Sequence, residues 1–370
     1  MPGSLPSAMP PRFRPDLERI QPYRPGRSIA EVAAEFGVQE VAKLASNENP
    51  EPPFPEVRQA IAASLDGLNR YPDNARPDLT AALADHLDVG PERIWCGGAS
   101  NELTLITALS MGGPGTSAVY AWPSFGLYRI GSLAIFSDTI EVPLDDLHRH
   151  DLEAMQAAIR DDTTVVYICN PNNPTSTVVA GDTLERFIDA VSEDVLVVVD
   201  EAYHEYAIAA EYRSMLPLAV ERSNVLVTRT FSKIYSLAGL RVGYAVTDPQ
   251  TIAQLRRIQL PFSVSNLAEV AATEALNHPN RVAERREANR TGIAYLTSGL
   301  RQRGSEVADS QTNFVYASFG DAAAMSEGLL QRGVIVRPVL PDGWLRINTG
   351  TQAEMERFFE ALDEVQGNTQ

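Results

Sequence analysis

The sequence predicts an α/β fold: a large domain with a mostly parallel sheet sandwiched by helices, followed by a smaller α+β domain. Three observations lead there. The apolar, β-branched runs Thr164–Cys169, Val195–Val199 and Val225–Thr228 read as strands buried on both faces. Gly181–Ser192 lies between the first two and places Leu184, Phe187, Ile188 and Val191 at helical spacing, which gives a βαβ rhythm. Near the C-terminus the texture changes to short strands over Gln311–Ala317, Val334–Arg337 and Trp344–Asn348, flanked by helices over Asp321–Arg332 and Thr351–Glu364.

In chain order, residues 1–45 read as an N-terminal arm and a segment joining the small domain. Residues 46–265 read as the large domain and 266–370 as the small one, with the amphipathic stretch Leu267–Gly299 as connector. Within the large domain, the short strand Ile94–Cys96 runs into Gly97-Gly98-Ala99-Ser100-Asn101 and then a helical pattern on Leu103, Ile106 and Leu109. Another strand ends at Tyr120-Ala121-Trp122-Pro123-Ser124-Phe125. The apolar run Asn224–Arg229, which contains the strand Val225–Thr228, and a further run Leu240–Val246 enclose a short polar loop that contains Lys233.

Composition bounds the function classes. A chain of 370 residues with 44% hydrophobic residues can bury a substantial core. A formal charge of −17 argues against a nucleic-acid surface, while leaving local arginines free to bind small anions. Two cysteines, Cys96 and Cys169, give no disulfide framework and suit a reducing cytoplasm. The N-terminus lacks the charged and apolar regions of a secretory signal, and no apolar run approaches the length of a membrane span. His148 and His150 fall in the polar run Asp146–Asp151 and read as solvated loop residues rather than metal ligands.

The ends of parallel strands are where α/β proteins usually place their chemistry. Asn170-Pro171-Asn172-Asn173-Pro174-Thr175 follows one strand and Asp200-Glu201-Ala202-Tyr203 the next. Taken singly, each has a plain structural reading. Asn and Pro dominate turns, Asp200 suits a helix cap, Phe125 suits the core, and a loop lysine is ordinarily solvated. Gly97-Gly98 before a helix is a weak signal for an anion site.

Together they are more specific. The segment Thr230–Tyr244 resembles, almost residue for residue, the cofactor-lysine segment of aminotransferases that use pyridoxal 5'-phosphate. The nearest pattern is that of the histidinol-phosphate aminotransferase family and its aromatic aminotransferase relatives. The resemblance runs from about Tyr23 to Thr351 and implies a fold-type-I enzyme. It implies that Lys233 carries the cofactor covalently and later moves the substrate proton. Ala99, Ser100, Asn101, Ser232 and Arg241 would hold the cofactor phosphate, and Phe125 would stack on the ring. Asp200 would pair with the pyridine nitrogen, and Asn173 with Tyr203 would contact the phenolic oxygen. Tyr71 would reach the phosphate in a neighbouring subunit, which implies a homodimer with shared sites. Arg346, Arg337, Tyr23 and Asn47 would face the substrate, an amino donor and then a 2-oxo acid.

Four departures from the family pattern stand out. Ala99 takes a position where glycine is usual and Asn101 one where aspartate is usual. Ser176 replaces the glycine of Asn-Pro-Thr-Gly, and the link between Arg337 and Arg346 is short. The last two leave an aromatic amino acid aminotransferase open beside histidinol-phosphate:2-oxoglutarate transfer. Decarboxylation or oxidation with the same cofactor, and an effector-sensing role, are further alternatives. The sensors carry a basic DNA-binding module ahead of the fold, whereas here a short proline-rich arm precedes Tyr23.

Overall fold

The computed structural model describes residues 13–22, 26–339 and 343–367. Among these, the strands are β1 (Ala42–Lys43), β2 (Ile94–Gly97), β3 (Ser117–Trp122), β4 (Asp138–Pro143), β5 (Thr163–Cys169) and β6 (Leu196–Asp200), then β7 (Val225–Thr230), β8 (Gly243–Val246), β9 (Phe314–Ser318), β10 (Val334–Ile335), β11 (Arg337–Val339) and β12 (Trp344–Asn348). They form a seven-stranded sheet in the order β2-β8-β7-β6-β5-β3-β4, a three-stranded sheet β11-β12-β9, and the pair β1-β10. In the large sheet only β8 runs against its neighbours.

The valine-rich strands lie at the centre because both of their faces are covered. Val197, Val198 and Val199 are fully buried. Alternate residues serve different cores: Val197 and Val199 join one cluster with Leu184, Phe187 and Ile188 of the helix Gly181–Ala190, while Leu196 and Val198 join another with Trp95, Leu103 and Tyr128. The register pairs Cys169 with Asp200 and Asp200 with Thr228. The C-terminal ends of β5, β6 and β7 therefore lie level, and the loops leaving them share one edge of the sheet.

The connector between the two parts consists of two helices, Asn266–Leu276 and Pro279–Gln302. Pro279 cannot continue a helix from the preceding turn, so the chain breaks at Asn277-His278. Ala268, Ala271, Ala272 and Ala275 of the first helix pack into the core of the large sheet. The 24-residue second helix reaches the small unit, where Leu296 and Leu300 join its core. The expected strand Val334–Arg337 is also split, because β10 pairs with β1 while β11 turns at Val336 to pair with β12.

The pairing of β1 with β10 ties the N-terminal segment to the small unit. Asn348 donates from its backbone to Leu44, and the side chains of Asn313 and Asn348 hold the backbone of Asn47. These bonds carry Ala45–Glu48 across the mouth of the strand-end edge. Among the described residues, no helix is long and apolar enough to cross a membrane.

Candidate active site

A cavity of about 310 Å³ opens at this edge, lined by residues of both units. Of the residues singled out from sequence, Asn47, Ser100, Asn101, Phe125, Asn173, Asp200, Tyr203, Ser232, Lys233, Arg241 and Arg346 line it. Ala99 lies just behind its wall, buried at the start of the helix Ala99–Met111. Arg337 is outside the lining but sits directly opposite Arg346 across β11 and β12, so both side chains leave the same face of that sheet. Tyr71 does not line this cavity and is 80% exposed, stacked on Phe262 at 4.7 Å. Tyr23 falls outside the described residues.

One end of the cavity is built for an anion. The helix Ala99–Met111 starts there, and its first backbone N–H groups have no partners within the helix. Gly243 makes the close approach possible: a Cβ at that position would sit 2.8 Å from the Ser100 nitrogen and 2.9 Å from the Arg229 carbonyl. Ser232 and Arg241 face this start from the β7–β8 connection. Arg241 Nη1 donates to the Ala238 carbonyl at 2.8 Å and reaches Ser232 Oγ at 3.5 Å. Ala99 has a φ of +70° and Ser176 one of +64°. Both are left-handed positions, which explains physically why glycine is usual at each.

The opposite end holds a buried carboxylate. Asp200 is 3% exposed at the end of β6. Its Oδ1 accepts from the Ala202 amide at 3.1 Å and its Oδ2 from the Tyr128 hydroxyl at 2.9 Å. Burial raises its proton affinity above the usual carboxylate range, and the Tyr128 hydrogen bond opposes that rise.

The loop after β5 sorts its asparagines by task. Asn170 pairs with both backbone groups of Val179, and Asn172 binds Ser124, Thr175 and the Pro123 carbonyl, so these two fasten the loop. Asn173 alone of the three lines the cavity, its Oδ1 accepting from Arg346 Nη1 at 2.6 Å. The second Arg346 donor goes to the Ala45 carbonyl, and the guanidinium lies 5.5 Å over the Phe314 ring. Tyr203 accepts from the Asn47 side-chain amide at 2.7 Å.

Lys233 Nζ stands among these groups, 5.6 Å from the Tyr203 ring. Burial lowers its pKa from 10.5 to about 8, with Arg346 and Arg241 adding to the drop while Glu48 and Asp200 oppose it. Sequence reasoning did not single out Glu48, which lines the cavity and pairs with Lys43 at 2.9 Å, nor Cys169, Thr230 and Ala238 in the wall. Tyr128 was also missed; it carries no signal beyond that of an aromatic on an apolar helix. His148 and His150 correct the expectation of a solvated loop. His148 packs edge-on against Trp344 at 4.4 Å, and His150 is 5% exposed, with burial lowering its pKa to about 4.

One cavity thus holds a lysine of lowered pKa, the start of a helix with N–H groups unpaired within it and a buried carboxylate. The chain belongs to the family described as aminotransferase class I and II, which it matches over residues 39–362. It is 43% identical to histidinol-phosphate aminotransferase 1 of Dechloromonas aromatica over 94% of this chain and 96% of that relative. It is 41% identical to the histidinol-phosphate aminotransferase of Brevibacillus brevis over 93% and 95%, respectively. The crystal structure of histidinol-phosphate aminotransferase from Sinorhizobium meliloti in complex with pyridoxal-5'-phosphate superposes with a TM-score of 0.90 at 28% identity, covering 98% of this chain and 100% of that one.

Proposed function

We propose that this aminotransferase uses pyridoxal 5'-phosphate to move an amino group from histidinol phosphate to 2-oxoglutarate. The observation that carries this reading is the single cavity joining Lys233, Asp200 and the Ser100–Ser232–Arg241 cradle to Arg346, in a chain 43% identical to a curated enzyme of that activity. The donor set fits the cofactor. Ser100, Asn101, Ser232 and Arg241 would hold its phosphate, Asp200 its ring nitrogen, and Asn173 with Tyr203 its phenolic oxygen. Phe125 would cover the ring and Lys233 would hold it covalently.

Bound there, pyridoxal phosphate supplies a ring that accepts the electron pair left at the substrate α-carbon. The chain's own groups do the rest. With a pKa near 8, Lys233 is partly neutral around neutral pH, so its amine can take the α-proton and return it. Arg346 would present a planar fork to the phosphate of histidinol phosphate and, in the second half, to a carboxylate of 2-oxoglutarate, while its bond to Asn173 fixes the plane of that fork. Asn47 holds the Tyr203 hydroxyl oxygen in place. Arg337, on the same sheet face as Arg346, is the second group we assign to the phosphate of histidinol phosphate.

Ser176 is fully buried and its hydroxyl donates to the Thr175 carbonyl, so it makes no contact that would choose between the two donors. We assign a homodimer from the apolar residues Leu65, Leu68, Tyr71, Ile258, Leu260 and Phe262, which are exposed in the single chain. Tyr71 would then complete the partner's phosphate cradle. A cytoplasmic setting fits the two buried, free cysteines. The deciding experiment compares kcat/KM for histidinol phosphate and for phenylalanine, with 2-oxoglutarate as acceptor. Preference for phenylalanine would overturn the substrate assignment.

A further inference from the structure

From the geometry around Asp200 we infer that Tyr128 is a positioning residue for the reaction: its hydroxyl fixes the Asp200 carboxylate and keeps it ionised beneath the cofactor ring. This inference rests on the functional reading above. Tyr128 is 1% exposed on the helix Leu127–Ala134 and donates to Asp200 Oδ2 at 2.9 Å. Among the described residues it is the one side chain that does so, and the other carboxylate oxygen is held by the Ala202 backbone. The ring is itself immobilised, stacked on Tyr167 at 4.7 Å and met edge-on by Phe125 at 5.6 Å. The same helix residue therefore aims the carboxylate and braces the aromatic that covers the ring.

The charges around Asp200 make this donor necessary. Burial and the neighbouring Glu201 favour its protonated form, while Tyr128, the Ala202 amide and Lys233 favour the carboxylate. Cys169, which faces the same pocket, is held protonated by burial and adds no charge. Attaching the cofactor through Lys233 would remove that ammonium, leaving Tyr128 as the side chain that sustains the anion. Burial keeps the phenol protonated far beyond neutral pH, so it acts only as a donor. A neutral Asp200 could not balance a protonated pyridine nitrogen.

The test loads the wild type, Tyr128→Phe, Tyr167→Phe and Asp200→Asn with pyridoxal phosphate labelled with nitrogen-15 at the ring, and records its chemical shift. Tyr128→Phe should move the signal toward neutral pyridine and lower kcat by roughly ten- to a hundredfold, with KM for the amino donor little changed. Tyr167→Phe removes a buried hydroxyl that has no hydrogen-bond partner among the described residues, and should leave the signal in place. Placing 4-aminophenylalanine at position 128 keeps a weaker donor there. It should recover part of the shift, and it serves as the test should Tyr128→Phe fail to fold. A wild-type signal in Tyr128→Phe, or in the aminophenylalanine protein, overturns the inference, as does an equal shift in Tyr167→Phe. An unchanged signal in Asp200→Asn sinks the functional reading itself, so the two failures are distinguishable.

Discussion

Replacing Lys233 by methionine should make the cofactor-free protein more stable while abolishing its activity. The fold lowers the lysine pKa from 10.5 to about 8, chiefly through burial. That difference corresponds to about 3 kcal/mol held against the charged form. Lys233 is only partly buried and the cavity admits solvent, so roughly 1–3 kcal/mol is the range to expect. The sign follows from proton counts. Below pH 8 both folded and unfolded chains carry the ammonium and the folded state bears the whole cost. Between about 8 and 10.5 the folded chain has released a proton that the unfolded chain still binds, so stability rises with pH. Above 10.5 the cost is gone. Urea unfolding of the apo-proteins at pH 7 and pH 10 should therefore find Lys233→Met ahead at pH 7, with the gap closing at pH 10. Transamination should fall by at least roughly 10⁴-fold, the scale set by losing one group that is both nucleophile and base. A variant less stable than wild type at pH 7, or a gap that persists at pH 10, would refute the reasoning.

Four further outcomes follow from the same geometry. Asp200→Asn should cut kcat by about 10²-fold or more while the phosphate cradle still retains the cofactor, checked by turnover and equilibrium dialysis. Ser176→Gly relieves a residue at φ +64° and should change stability by no more than about 1 kcal/mol, in the favourable direction, with kcat unaffected; a lower urea midpoint would contradict this. Mixing Tyr71→Ala with Lys233→Ala subunits should restore about a quarter of wild-type activity, since random pairing gives half heterodimers with one intact site each; no recovery would mean that Tyr71 serves its own subunit. Arg337→Ala should raise KM for histidinol phosphate about tenfold or more, and leave phenylalanine nearly unchanged, because only the first substrate brings a phosphate to lose a charged partner.

What could be read from sequence was whatever the chain encodes in short, contiguous order. Val195–Val199 declares a strand covered on both faces, and the helical spacing of Leu184, Phe187 and Ile188 declares the crossover beside it. Lys233, Asp200 and Asn173 each follow an apolar run that ends at the edge of the sheet, but it was the resemblance of their segments to the aminotransferase family that singled them out. The misses are of another kind. The change of partner at Val336 depends on which neighbour a segment packs against, and hydropathy does not record that. His150 reads as a loop residue because Asp146–Asp151 is polar, yet the loop folds inward over Thr175 and Thr177, whose hydroxyls hold the His148 carbonyl.

The residues that set the electrostatics of the site are less legible still, because their work is done across the fold. Tyr128 meets Asp200 from 72 positions away, and Arg346 meets Asn173 from 173 positions away. Neither contact leaves a local pattern. The level ends of β5, β6 and β7 explain why such contacts are possible at all. With Cys169, Asp200 and Thr228 in register, each loop delivers its first residues to the same place. Helix starts and the small unit then need only supply donors from above and beside. Sequence thus names the groups that touch the cofactor, while the strength of each is set by what packs behind it. The lowered pKa of Lys233 comes from burial and from Arg346, and the charge of Asp200 depends on Tyr128.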